Sequence, residues 1–261
     1  MKFSVDTDWW KTIFDEIYLL TDARTVCDDE LTRKEVDFIT TFMNPGKNSS
    51  ILDLCGGQGR HSLELARRGF RDLTVLDYSG FLLETGGKKA NEEGLSVQFL
   101  QSDARSIPLP DDQFHFIILM ASSFGYFEED NENSKILAEA FRLLLPSGQL
   151  LLDIPDRDYM IGNFRPSSFH RVNYDISVER HRQIKGNVIF SKETVLSLKK
   201  GCIRENTYCM RLYSMDDLKR LLLKKGFIKV SFKKDFMDRS NLGDFGCMTN
   251  RMVAIAEKPT D

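Results

Sequence analysis

The chain has 261 residues, 41% of them apolar and 29% charged, with a formal net charge of −3. That is ample length for a full core, in one large domain or two small ones, with the composition of an ordinary soluble protein. The absence of an uninterrupted apolar run near ~18 residues excludes a membrane-spanning helix, and five cysteines with no CxxC spacing exclude a disulfide framework or a zinc site.

The small total hides an asymmetry. Residues 1–160 carry 16 Lys and Arg against 28 Asp and Glu, whereas residues 161–261 carry 20 against 11. A basic second half predicts either solvated faces, as in "LKRLLLKKGF", or contact with an acidic substrate or nucleic acid.

The first segment, "MKFSVDTDWWKTIFDEIYLL", is acidic and aromatic and lacks the basic start, apolar middle and small-residue cleavage site of a signal peptide. Reduced thiols and a cytoplasmic location are expected. Its aromatic residues Trp9, Trp10 and Tyr18 read as one side of an amphipathic helix. After "NPGKNSS" the apolar runs and turn signals alternate: strand 51–55, helix 60–69, strand 73–77, helix 79–93, strands 97–101 and 114–120, helix 131–145, strand 148–154. Such alternation predicts an α/β fold, a parallel sheet with helices on both faces, and fully apolar strands such as "FIILM" suit a sheet buried on both sides.

Beyond residue 156 the rhythm changes. "ISVERHRQI", "VIFSKETVLSL" and "CIRENTYCMRLYS" are strand-like and separated by "KGN" and "KKG", so a three-stranded antiparallel β insertion is predicted near 165–213. Ser214 as N-cap, Asp216 and Asp217 in the first turn and Gly226 past the end bracket a further helix. "IKVSFKKDF" and "RMVAIAEK" supply the last two strands.

The stretch "ILDLCGGQGRHS" at 51–62 is a strand, a glycine turn and a helix start, the place where doubly wound folds bind cofactors. Arg60-His61 stands where a phosphate loop needs Lys-Ser/Thr, and Ser62 where a dinucleotide fingerprint needs its third glycine. Three acids narrow the choice. Asp53 lies inside the first strand, where it can orient the turn and an ammonium group. Asp77 ends the second strand, where a carboxylate can bind ribose hydroxyls, and Asp103 follows the third beside small Ala104. Acids at three successive strands suit a positively charged, adenosine-bearing ligand without phosphates.

With "LDLCGGQGRHSLELARRG", "LTVLDYS", "QSDARSIPLPDDQFHFIILMASSFGYF" and "LLPSGQLLLDI", the chain resembles the class I S-adenosylmethionine-dependent methyltransferases over about residues 51–154. The resemblance implies a Rossmann-like seven-stranded sheet (residues 49–156 and 214–261), an N-terminal helical lid (1–48) and a β insertion covering the substrate (157–213). It implies a cofactor site in which Gly56, Gly57 and Gly59 pack against the methionine part, with Cys55 where the family usually has glycine. Asp77 would bind the ribose with Tyr78 and Ser79 beside it; Asp103, Ala104 and Arg105 would meet the adenine edge. Met120 and Ala121 would lie beside the sulfonium, and Tyr18 over the methionine end. "FDEIYLL", "SSFGYF" and the insertion are similar to small-molecule enzymes, the sugar N-methyltransferases and glycine N-methyltransferase-like proteins.

The implied reaction is methyl transfer to a small molecule, with an amine nitrogen as acceptor. An amine needs only to be deprotonated; a hydroxyl would need a base, for which His170, His181, Tyr126 and Glu179 are candidates, and none is singled out. Met120-Ala121-Ser122-Ser123 replaces the Asn/Asp-Pro-Pro-aromatic motif of nucleic-acid adenine methyltransferases, so nucleic acid is not expected. Arg165, His170, Arg171, Arg180, His181 and Arg182 make the insertion basic and suit an anionic acceptor. An NAD-dependent oxidoreductase, a non-catalytic cofactor-binding module, and O- or tRNA methylation are the alternatives, and the protein is expected to be a monomer or homodimer without a metal.

Overall fold

The computed structural model describes residues 3–236 and 250–260. A 3-10 turn at Trp9–Lys11 and two short helices, α1 (Glu16–Thr21) and α2 (Ala23–Val26), precede the long α3 (Asp29–Met43). The chain then alternates: β1 (Ser50–Leu54), α4 (Arg60–Arg67), β2 (Asp72–Asp77), α5 (Gly80–Glu93), β3 (Gln98–Gln101), β4 (Phe114–Leu119), α6 (Asp130–Leu143) and β5 (Leu144–Pro155). After α7 (Arg157–Gly162) come β6 (Ser167–Arg171), β7 (Ile176–Lys185), β8 (Val188–Ser197) and β9 (Gly201–Arg211), then α8 (Met215–Lys224), β10 (Ile228–Phe236) and β11 (Arg251–Glu257).

Seven of these strands form one sheet in the order β3-β2-β1-β4-β5-β11-β10. β1 pairs in parallel with both β2 and β4, and β11 runs antiparallel to β5 and β10. β1 is buried along its whole length. Leu52 and Leu54 face a cluster with Leu137, Leu218 and Leu222 of α6 and α8, while Ile51 faces Val36, Ile39 and Leu65 of α3 and α4. This is why the strands read as continuous apolar runs and not as alternation. The strand order reverses between β1 and β4, which opens a crevice at their carboxyl ends.

The structure corrects two expectations. The insertion has four strands, in the order β6-β7-β8-β9. The additional one, "SSFHR", is made by its ladder on β7, from Ser167 opposite His181 to Arg171 opposite Ser177, and its one large apolar residue, Phe169, is exposed. Helix α6 stops at Leu143, short of the expected 145, because the residue before Pro146 is driven out of helical geometry. Helix α3 packs into the core through Val36, Ile39 and Met43, and Trp10, Phe14 and Tyr18 of the segment before it line the crevice.

Helix α5 carries Gly86-Gly87 without breaking. A Cβ on Gly86 would lie 2.3 Å from the backbone oxygen of Gln58, so this glycine lets α5 press against the turn after β1. Gly86→Ala gains ~1 kcal/mol of helix propensity, but the overpacking against backbone costs ~1–3 kcal/mol. A net loss of stability is expected in a thermal melt; a more stable variant would show that the close approach is unimportant.

Candidate active site

The turn after β1 is held by carboxylates. Asp53 is fully buried; its Oδ2 accepts from Ser62 Oγ at 3.0 Å, and its Oδ1 has no partner. Cys55, Gly57 and Gly59 all have positive φ, of 56°, 58° and 69°. Gly57 N–H donates to Asp77 Oδ2 at 2.8 Å and Ser79 N–H to Asp77 Oδ1 at 2.9 Å. Burial pushes the carboxyls of Asp53 and Asp77 up from the ordinary range, opposed for Asp77 by the N–H groups of Ser79, Gly57 and Tyr78. Each Asp77 oxygen keeps a second lone pair for a ligand hydroxyl.

Three cavities meet over this turn. The first, about 90 Å³, lies between Cys55, Gly57, Asp77, Tyr78, Asp103 and Ala104 on one side and Trp10 and Phe14 on the other. The second, about 50 Å³, is bounded by Asp53, Gly56, Gln58, Arg60, Met120 and Ala121. The third, about 150 Å³, lies under the insertion, between Trp9, Ser122, Tyr126 and the β-sheet side chains Arg180, Arg182, Glu193, Arg204 and Tyr208. Tyr18 lines all three.

Of the residues expected at a cofactor site, three line none of these cavities. Gly59 turns its missing side chain the other way: a Cβ there would meet Val75 at 2.9 Å and Phe99 at 3.1 Å, so packing on β2 and β3 requires this glycine. Ser79 caps α5 through its bond to Leu82 N–H and donates its Oγ hydrogen to Phe14 O at 2.6 Å, tying the N-terminal segment down. Arg105 grips Asp103, with Nη2 to Oδ2 at 2.7 Å, reaches Glu132 at 2.7 Å, and lies against the rings of Trp10 and Phe127. Although burial works against its charge, Asp103 is held below the ordinary range by these bonds. The acceptor capacity expected to meet an adenine amino group is therefore engaged by Arg105.

Two arrangements escaped the sequence reading. One is the third cavity's wall. Trp9 packs on Tyr126 and Tyr208, with ring centroids 5.2 and 5.6 Å apart. Arg180 and Arg204 both bond buried Glu193, at 2.8 and 3.0 Å, and reach back to Asp22 and Asp15 of the N-terminal segment. Of the insertion's basic set, Arg180 and Arg182 line the cavity, while Arg165, Arg171 and His181 are exposed and His170 lies near Thr21 O. The other is a buried ion network behind the second cavity: Glu35 of α3 with Arg60, His61 and Arg251, and Arg251 with Asp153. A signal existed for it, since Glu35 falls four residues after Leu31 and four before Ile39 on the buried face of α3.

Residues 51–148 match the family described as a methyltransferase domain. YqeM of Bacillus subtilis (strain 168) is 33% identical over 155 residues, 59% of this chain. That match spans 62% of YqeM's own length, less than two thirds. The glycine/sarcosine N-methyltransferase of Halorhodospira halochloris is 26% identical over 80% of this chain and 76% of its own. A solved S-adenosylmethionine-dependent methyltransferase from Clostridium acetobutylicum ATCC 824 has the same fold, with a TM-score of 0.72 and 16% identity over 93% of this chain and 96% of that one. From its motifs, its strand order and these likenesses, the chain carries a methyltransferase domain over residues 51–148 and has the fold of the class I S-adenosylmethionine-dependent methyltransferases.

Proposed function

We propose that this chain binds S-adenosylmethionine across the first two cavities and methylates a small amine, carrying an anionic group, in the third. The observation that carries the reading is the charge sorting of three joined cavities. Asp77 and Asp103 border the first, with Asp103 paired to Arg105, and Asp53 borders the second beside Arg60, whose charge is paired to Glu35. Arg180, Arg182 and Arg204 outnumber Asp22 and Glu193 in the third. Arg204 Nε is buried without a partner there, a donor suited to a carboxylate.

The residues fit the cofactor. Asp77 would take the ribose hydroxyls, Tyr78 and Ala104 would border the adenine, and the bare backbone at Gly56 and Gly57 would lie along the methionine part. The unpartnered Oδ1 of Asp53 would accept from its ammonium group. When bound, S-adenosylmethionine supplies a methyl carbon on a positively charged sulfur, whose carbon–sulfur pair returns to sulfur as the acceptor's lone pair forms the new bond. The protein's task is alignment, worth up to ~7–11 kcal/mol when reacting atoms are held ~3–3.5 Å apart. Tyr18, Ala121 and Tyr126 stand at the junction where that alignment is set, and the insertion covers the acceptor.

The candidate bases favour an amine over a hydroxyl. His170, His181 and Glu179 line none of the three cavities. Tyr126 does, but burial pushes its phenol well above the usual range, so it stays protonated. His61 borders the second cavity and is bonded to Glu35 at 2.9 Å. A neutral amine needs no base before attack.

In calorimetric titration S-adenosylhomocysteine is expected to bind and NAD to give no heat. With methyl-labelled S-adenosylmethionine and a small-molecule extract, label is expected in an amine product. NAD binding without a response to S-adenosylhomocysteine would refute the cofactor assignment, and label on a hydroxyl oxygen would refute the acceptor assignment.

A further inference from the structure

Strand β4 leaves the sheet through a strained corner. Ala121 and Ser122 follow it with φ of 59° and 60°, two successive residues with side chains in the left-handed region, a conformation that disfavours any Cβ. The strain at Ala121 is matched by a bond, since its N–H donates to buried Asp153 Oδ2 at 2.8 Å. Ser122 is 2% exposed, and its hydroxyl is buried without a hydrogen-bond partner. A hydroxyl taken out of water with nothing in return is destabilising, and beside a cavity it is a group that a ligand can satisfy.

The position identifies the partner. Ser122 lines the third cavity, Ala121 both the third and the second, and Ser123 the second and the first. Ser122 therefore stands where the acceptor cavity meets the two cofactor cavities. Arg204, whose Nε is buried without a partner, and the aromatic residues Trp9, Tyr126 and Tyr208 line the same cavity.

Resting on the reading of the third cavity as the acceptor site, we propose that Ser122 orients the methyl-accepting nitrogen. Its oxygen accepts a hydrogen bond from an N–H of the neutral amine, which turns the nitrogen lone pair toward the second cavity. The acceptor class follows: a primary or secondary amine, because a tertiary amine has no N–H for Ser122.

Two variants separate the hydroxyl from the strain. Ser122→Gly removes both, since glycine adopts the left-handed region freely, and so folds at least as well. Ser122→Ala removes only the hydroxyl. Label transfer from methyl-labelled S-adenosylmethionine to a protein-free small-molecule extract is measured at saturating cofactor, beside calorimetric titration of S-adenosylhomocysteine. Both variants are expected to slow transfer by about ten- to a hundredfold, the value of one hydrogen bond to a buried partner, with S-adenosylhomocysteine affinity unchanged. Transfer by Ser122→Gly at the wild-type rate overturns the assignment. Affinity for S-adenosylhomocysteine falling in step with the rate overturns it too, by making Ser122 part of the cofactor site. No transfer by the wild-type chain overturns the methyltransferase reading, and this assignment with it.

Discussion

Asp77→Ala is expected to weaken binding of S-adenosylhomocysteine by a hundredfold or more in a protein that still folds. Two charge-assisted bonds to the ribose contribute ~1.5–3 kcal/mol each, and each ~1.4 kcal/mol is tenfold in affinity. The side chain also shapes the site: without it the N–H groups of Gly57 and Ser79 lose the acceptors that hold the glycine turn against β2. Asp77→Asn keeps one acceptor oxygen and is expected to lose less. Calorimetry on both variants, with a thermal melt to establish folding, measures the difference. Unchanged affinity in folded Asp77→Ala would show that the ribose lies elsewhere. The pH dependence has a definite sign. Burial raises the Asp77 carboxyl above its ordinary value of ~3.9, and protonation removes acceptor capacity. Affinity should therefore fall on acidification, at a higher pH than for an exposed aspartate.

How much of this was legible in the sequence depends on whether a residue's role is local. β1 and β4 were readable because a strand covered on both faces is apolar throughout, Asp53 because it stands inside β1, and Asp77 because it ends β2. Asp103 was readable as an acid at a strand end, but its partner was not: Arg105 is two residues away, and only the folded loop shows that guanidinium gripping it. Gly59 was read as a ligand contact, whereas the atoms that exclude a side chain there, on Val75 and Phe99, are distant in sequence. β6 was missed because "SSFHR" carries no apolar alternation and becomes a strand only by pairing with β7. The third cavity is the extreme case. Asp15 and Asp22 meet Arg204 and Arg180 from 189 and 158 residues away, and no local pattern encodes such a meeting.

Arg251→Met is expected to give the largest loss of stability, about 3–5 kcal/mol, the usual result of removing one partner from a buried ion network. Arg251 is fully buried and bridges Glu35 and Asp153, themselves fully buried, so the substitution leaves two carboxylates short of a countercharge in the core. In the wild-type chain burial would push Glu35 up, but Arg60 and Arg251 overcome it and hold the carboxyl well below the ordinary range. Its contribution is thus fully present above the unfolded value of ~4.3 and lost as pH falls through the folded one. Asp153 is raised, because burial outweighs its attraction to Arg251. Removing Arg251 pushes both carboxyls upward, and the sign for Glu35 weakens or reverses. The variant should lose stability as pH rises above ~4 and recover part of it when melted near pH 5 instead of pH 7. A variant as stable as the wild type at neutral pH would show that the network contributes nothing net. The consequence reaches the site through two contacts: Asp153 Oδ2 holds the N–H of Ala121 at the strained corner, and Arg60 borders the second cavity. Cofactor affinity should therefore fall with stability in Arg251→Met, whereas in Asp77→Ala affinity falls while the fold survives.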